Sequence, residues 1–94
     1  MLSDEEVRKY LTDLDKAWEL KDGKIVKSFQ FSSFMDAIEF VNKVAKVAER
    51  LDHHPIITIN WKTVRFSLKS FDTDAITDRD FNLVKKIEGL FTES

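Results

Sequence analysis

Phe34, Ala37, Ile38, Phe40, Val41, Val44, Ala45, Val47, Ala48 and Leu51 recur at helical spacing. On 100° steps they fill an arc of roughly 180°, whereas a surface helix needs an apolar stripe of only about 100°. A helix over about 33–52 therefore covers other structure and has apolar surface left over. Deep burial within one domain and contact with a second copy both account for the surplus. Ser32 or Ser33 caps this helix at its start. Pro55 ends it, because the residue before a proline is pushed out of helical dihedrals, so the stop falls near Asp52 or His53.

The flanking segments supply what the helix covers. Ser3-Asp4-Glu5-Glu6 is a capping box and opens a first helix over about 4–14, with Val7, Tyr10, Leu11 and Leu14 on one face. Asp22-Gly23 is a hairpin turn signal between Ala17-Trp18-Glu19-Leu20 and the run 24–31, in which Ile25, Phe29 and Phe31 share a parity. After Pro55, Ile57, Ile59 and Trp61 share one parity. Val64, Phe66 and Leu68 then alternate with polar residues, a half-buried strand, and the turn lies in 60–63. Thr77-Asp78-Arg79-Asp80 is a variant capping box for a last helix to about Phe91, with Phe81, Val84, Ile87, Leu90 and Phe91 inward. The order α-β-β-α-β-β-α predicts an α+β fold: a four-stranded antiparallel sheet with helices packed on one face. Such a sheet has exposed edges, and edge pairing between copies is a route to a dimer.

With 94 residues the chain is expected to form a single domain over 1–94. No cysteine is present, so disulfides, thiolate metal sites and cysteine nucleophiles are excluded. The net charge is −2 with both signs interspersed, which argues against a direct nucleic-acid footprint. No apolar run has the length of a membrane span or the form of a signal peptide, so a cytoplasmic location is expected.

Chemistry has few places to reside. The two histidines, His53 and His54, are adjacent and stand where the long helix must end. Glu49 lies one turn earlier and Asp52 immediately precedes them. Imidazoles titrate near neutrality and move protons at low cost. The same position also suits a histidine that only complements the helix dipole. No metal site is expected, because adjacent residues diverge and no further His or Cys completes a shell. Trp18 and Trp61 are either core or rim residues, or platforms for a flat heterocycle. No phosphate loop or nucleophile elbow is present.

The run Glu49-Arg50-Leu51-Asp52-His53-His54-Pro55, five further residues and then Trp61 resembles the signature of the pterin-4a-carbinolamine dehydratases. The resemblance extends to Trp18, to Phe29 and Phe31 before the long helix, to Val64–Leu68, and to Thr77 with Asp80. It implies an α+β fold and dehydration of a 4a-hydroxytetrahydropterin to quinonoid dihydropterin. No metal or redox cofactor is implied, the pterin being the substrate. By the resemblance His53 and His54 are the catalytic residues, and Glu49, Asp52, Pro55, Trp61 and Phe71 contact the substrate. It also implies a homodimer or homotetramer.

One position departs from the family pattern. The family typically carries a third histidine, occasionally a tryptophan, ten residues after the signature aromatic; here that position is Phe71. A phenyl ring stacks but transfers no proton. The segment 72–76 also lacks the glycine often found there. The alternative reading is a non-catalytic pterin-binding or protein-dimerisation module that retains the fold.

Overall fold

The computed structural model describes residues 2–93. Met1 and Ser94, the ends of the expected domain, lie outside them. The elements follow the expected order: α1 (Asp4–Leu14), β1 (Glu19–Lys21), β2 (Lys24–Gln30), α2 (Phe34–Leu51), β3 (Ile56–Asn60), β4 (Thr63–Leu68) and α3 (Asp78–Glu93). The four strands form one antiparallel sheet in the spatial order β1-β2-β4-β3.

Local chemistry explains the boundaries. The Ser3 hydroxyl accepts from the Glu6 N–H while the Glu6 carboxylate accepts from the Ser3 N–H, the capping box read from the sequence. Ser33, not Ser32, caps α2 by accepting from the Asp36 N–H at 3.0 Å. Asp22 and Gly23 both take positive φ, 52° and 75°, as a two-residue type I′ hairpin demands. The first strand is shorter than expected. Ala17 adopts φ 63°, outside the extended region, so pairing begins only at Glu19.

Along β2 and β4, Ile25, Phe29, Val64, Phe66 and Leu68 point under the helices and are fully or nearly fully buried. Ser28, Thr58, Arg65 and Ser67 occupy the opposite face. The core is rich in aromatics. Phe29 lies 5.6 Å from Phe40, 5.8 Å from Phe66 and 4.8 Å from Phe91 between ring centroids. Trp18 is a core residue, its ring centroid 6.0 Å from that of Phe29 in an edge-on arrangement. Its indole N–H donates to Glu88 at 2.7 Å, and Lys27 donates to the same carboxylate oxygen at 2.5 Å. This bond set ties α3 to β2 and to the residue just before β1.

Helix α2 accounts for its wide arc. Ala37, Phe40, Val44, Val47 and Ala48 are buried, while Phe34 and Ala45 remain exposed and Ile38 and Val41 are half-buried. The surplus apolar stripe is thus on the outside of the described chain.

Candidate active site

The end of α2 builds the site. Asp52 takes the left-handed conformation, φ 49°, which a short polar side chain tolerates. The Asp52 N–H then reaches Glu49 O at 3.2 Å and the His53 N–H reaches Ala48 O at 3.1 Å, the paired bonds of a Schellman motif. These bonds stop the helix and hold the His53 backbone. Pro55 keeps His54 extended as the chain enters β3.

The two imidazoles diverge, as adjacent residues must. His53 turns inward and is 8% exposed. Its Nε2 lies 2.6 Å from Oδ1 of Asp80, a fully buried carboxylate on the first turn of α3. The other oxygen of Asp80 accepts from the Ser70 hydroxyl at 2.9 Å and from the Thr77 N–H at 3.0 Å. Ser70 also bonds Thr77 through their hydroxyls at 2.7 Å, and it closes the 70–75 loop by reciprocal backbone bonds with Ala75. Both oxygens of Asp80 are therefore supplied with donors. With the His53 Nε2–H donated to the carboxylate, Nδ1 carries the lone pair. His54 points outward, and its Nε2 pairs with the exposed carboxylate of Glu49.

Both histidines, Asp52 and Phe71 line one open cleft of about 320 Å³, closed on its other sides by Lys69, Asp72 and Arg79. Phe71 is 54% exposed at the rim, with the Lys69 ammonium 5.8 Å from its ring centroid. Arg79 donates to Asp72 at 2.7 Å. The Arg79 guanidinium holds the Asp72 carboxyl below the usual aspartate range, and Asp72 in turn raises Arg79. Lys69 is paired with Asp74 and lowers that carboxyl likewise. A larger cavity of about 430 Å³ lies at the other end of α2, between Phe31, Phe40 and Phe91, and contains neither histidine.

Of the residues named from the sequence, His53, His54, Asp52 and Phe71 share the cleft, Glu49 reaches it through His54, and Pro55 borders it in sequence. Trp61 does not join them. It sits at the far end of β3, in the hairpin turn, 68% exposed and with φ 52°. The five residues of β3 alone span roughly 17 Å. The carboxylate partner of His53 is Asp80, not Glu49 or Asp52. The sequence marks Asp80 as part of a helix cap, and its bond from the Thr77 N–H fits that role. The signal for more was its place on the apolar stripe with Val84 and Ile87, where a buried carboxylate must find a partner. Ser70 gave no such signal.

A buried carboxylate orienting one imidazole beside a second, exposed imidazole at an open cleft defines a small α+β domain equipped for proton transfer. The sequence profile of the pterin 4 alpha carbinolamine dehydratases matches residues 1–90, and the chain belongs to that family. A protein of Mycolicibacterium vanbaalenii provisionally named as such a dehydratase is 43% identical over 90 residues, 96% of each chain. One of Sulfurisphaera tokodaii, named in the same provisional way, is 40% identical over 91 residues, 97% of each chain. A crystal structure of a transcriptional coactivator/pterin dehydratase from Brucella melitensis superposes with a TM-score of 0.86 at 31% identity, over 95% of this chain and 96% of that one. A pterin dehydratase-like protein described as a RuBisCO assembly factor in the alpha-carboxysome shares the fold, with a TM-score of 0.64 at 19% identity over 78% of this chain and 84% of that one.

Proposed function

We propose that this protein is a lyase that dehydrates 4a-hydroxytetrahydropterin to quinonoid dihydropterin, with His53 and His54 as its acid/base pair. The observation that carries the reading is the His53–Asp80 bond beside an exposed second imidazole in the same cleft. In the reaction a ring N–H proton is removed and the 4a-hydroxyl departs, taking a proton to leave as water. His53 Nδ1, with Nε2–H committed to Asp80, accepts the ring proton. His54, in contact with solvent, protonates the departing hydroxyl and regains its proton from water. No electrons leave the pterin, so the chemistry calls for neither a metal nor a redox cofactor. Phe71 supplies a flat apolar wall, while Glu49 and Asp52 orient the outer imidazole and the pterin amine.

The charge pattern supports a chain without direct nucleic-acid contact. No helix among the described residues is long and apolar enough to cross a membrane, and we place the protein in the cytoplasm. The exposed stripe of α2 and the free edge of β3 favour a homodimer or homotetramer.

The competing reading is a pterin-binding or dimerisation module that no longer turns substrate over, favoured by the phenyl ring where the family typically carries a histidine. An assay on chemically generated 4a-hydroxytetrahydropterin separates the two. A dehydratase loses activity on His53→Ala or His54→Ala. A binding module is inactive as wild type yet still binds pterin.

A further inference from the structure

The helix-free face of the sheet carries a charge that no side chain of the described residues answers. Arg65 stands in the middle of β4 and lies on that face. Arg8, Arg50 and Arg79 are exposed, whereas Arg65 is half-buried. On an open sheet face a cation gains most from a carboxylate directly across the ladder. The residues across from Arg65 are instead Ser28 on β2 and Thr58 on β3, with Thr63 and Ser67 two positions away along its own strand. Among the described residues no carboxylate pairs with its guanidinium. Arg79, by contrast, is held by Asp72.

The face is hollowed next to Arg65. A cleft of about 290 Å³ extends from it toward β1, lined by Ala17, Glu19, Lys21, Val26, Ser28 and Arg65. Val26 is only 9% exposed although no helix covers this side of the sheet. Lys27 also borders the cleft, but its ammonium is committed to Glu88 on the helix side. Two uncommitted cations, Arg65 and Lys21, thus meet one carboxylate, Glu19, and neither Lys21 nor Glu19 forms an ion pair among the described residues. This local excess of positive charge stands on a chain whose net charge is −2.

The chemistry of the lining selects the ligand. A guanidinium presents a planar fork that grips two oxygens of an oxyanion at once. The Ser28 hydroxyl, with its Cβ about 5 Å from that of Arg65, can rotate to donate to a further oxygen. A phosphomonoester, with a charge of about −1.5 to −2 at neutral pH, matches the two cations better than a single carboxylate does. The volume lies at the lower edge of the roughly 300–1,000 Å³ of small-molecule sites. No aromatic side chain lines the cleft, so a nucleobase finds no stacking platform.

We propose that this cleft is a second ligand site, for a small phosphomonoester, in which Arg65 grips the phosphoryl oxygens, Ser28 donates to them and Lys21 completes the neutralisation. Glu19 opposes the anion and limits its affinity. The cleft shares no residue with the histidine cleft, and the site does not depend on the dehydratase reading.

The test is a titration of glycerol 3-phosphate into the nitrogen-15-labelled 94-residue chain at constant ionic strength, with glycerol as the control. Saturable NMR shifts are expected for the amides of 19–21, 26–28 and 64–66 and for the Arg65 Nε–H, half-complete at about 1 mM, and none with glycerol. Arg65→Gln should weaken binding at least about tenfold through loss of the charge-assisted bonds. Arg65→Lys keeps the charge without the fork and should weaken it about threefold or more. Glu19→Gln removes the opposing charge and should tighten it about threefold. Shifts scattered over the surface lysines, an absence of saturation, or equal binding by wild type and Arg65→Gln overturns the proposal. If Arg65→Gln does not fold, unchanged affinity in both Arg65→Lys and Glu19→Gln overturns it instead. A short single-stranded oligonucleotide that binds the same strands more tightly than glycerol 3-phosphate overturns the small-molecule assignment.

Discussion

Asp80→Asn is nearly isosteric and removes one charge from the base of the site. Asp80 is fully buried, and its two oxygens accept three bonds: from His53 Nε2 at 2.6 Å, Ser70 Oγ at 2.9 Å and Thr77 N at 3.0 Å. The Thr77 backbone can only donate, so the asparagine oxygen must stay on the Ser70–Thr77 side. Its amide then faces His53 and donates to Nε2. The imidazole must answer by carrying its proton on Nδ1, the atom that holds the lone pair in the mechanism proposed above. Two bonds survive and a charge-assisted one becomes neutral, so stability falls by only about 1–3 kcal/mol. The general base is lost altogether, which costs about 10²–10⁴ in kcat. Three readouts are needed: kcat for 4a-hydroxytetrahydropterin, the urea midpoint, and the His53 tautomer by nitrogen-15 NMR. A folded Asp80→Asn protein with wild-type kcat, or with the Nε2–H tautomer retained, refutes the account of His53 as a base set by Asp80.

Phe71→His restores a titratable group at an exposed rim position, and kcat is expected to rise at least about tenfold, short of the roughly 10²–10⁴ that a fully positioned proton donor contributes; an unchanged kcat means the two histidines already suffice. Glu88→Ala strips the partner from the neutral Trp18 indole N–H and from the Lys27 ammonium, and the Lys27 and Glu88 side chains are both mostly buried. It should destabilise by about 3 kcal/mol in urea unfolding, and a loss below about 1 kcal/mol shows that the ion pair contributes little. Asp72 is held below the ordinary aspartate range by Arg79. A depressed carboxyl stabilises the folded state above its unfolded pKa of about 3.9, and that contribution is lost as pH falls through the lower folded value. Amide shifts across 71–76 should thus hold steady at pH 5 and move only below about pH 4. Arg79→Ala should bring that transition up toward the ordinary value, and an unmoved transition contradicts the pairing.

The fold was legible because its signals are local. Ser3 with Glu6, Asp22-Gly23, Ser33 and the 3.6 and 2.0 periodicities each act within a few residues and agree with one another. The shortening of β1 was not legible, since the left-handed Ala17 reflects the path that buries Trp18 and no propensity of alanine. The site was legible as far as it lies in one stretch of chain, from Glu49 to Pro55. Asp80 and Ser70 entered only through tertiary structure. One was masked by a capping pattern that it also fulfils, and a lone serine between a lysine and a phenylalanine carries no pattern. Trp61 fails in the opposite sense. Sequence spacing says nothing of direction along a strand, and a residue six positions from Pro55 in an extended run is necessarily far from it.

The division of labour proposed for the two histidines has a structural consequence. They are neighbours in sequence, yet His53 is oriented by α3 through Asp80 and His54 by α2 through Glu49. The distance between the atoms that handle the two protons is therefore set by how α2 rests on α3. That packing includes the rings of Phe40 and Phe91, whose centroids are 5.8 Å apart at the opposite end of the helices. The Glu88 bonds to Trp18 and Lys27 fix the same end of α3 against the sheet. Geometry within about 0.5 Å is what acid/base positioning requires, so substitutions at this remote seam should lower kcat before they unfold the protein. Phe91→Ala is the sharpest case. It leaves the cleft residues untouched, removes a ring that meets Phe29, Phe31 and Phe40, and frees the end of α3 to shift. A fall in kcat at constant KM, in protein that is still fully folded, is the expected outcome. A stability loss with kcat intact places the site's rigidity in the Schellman turn and the Ser70–Asp80 bonds alone.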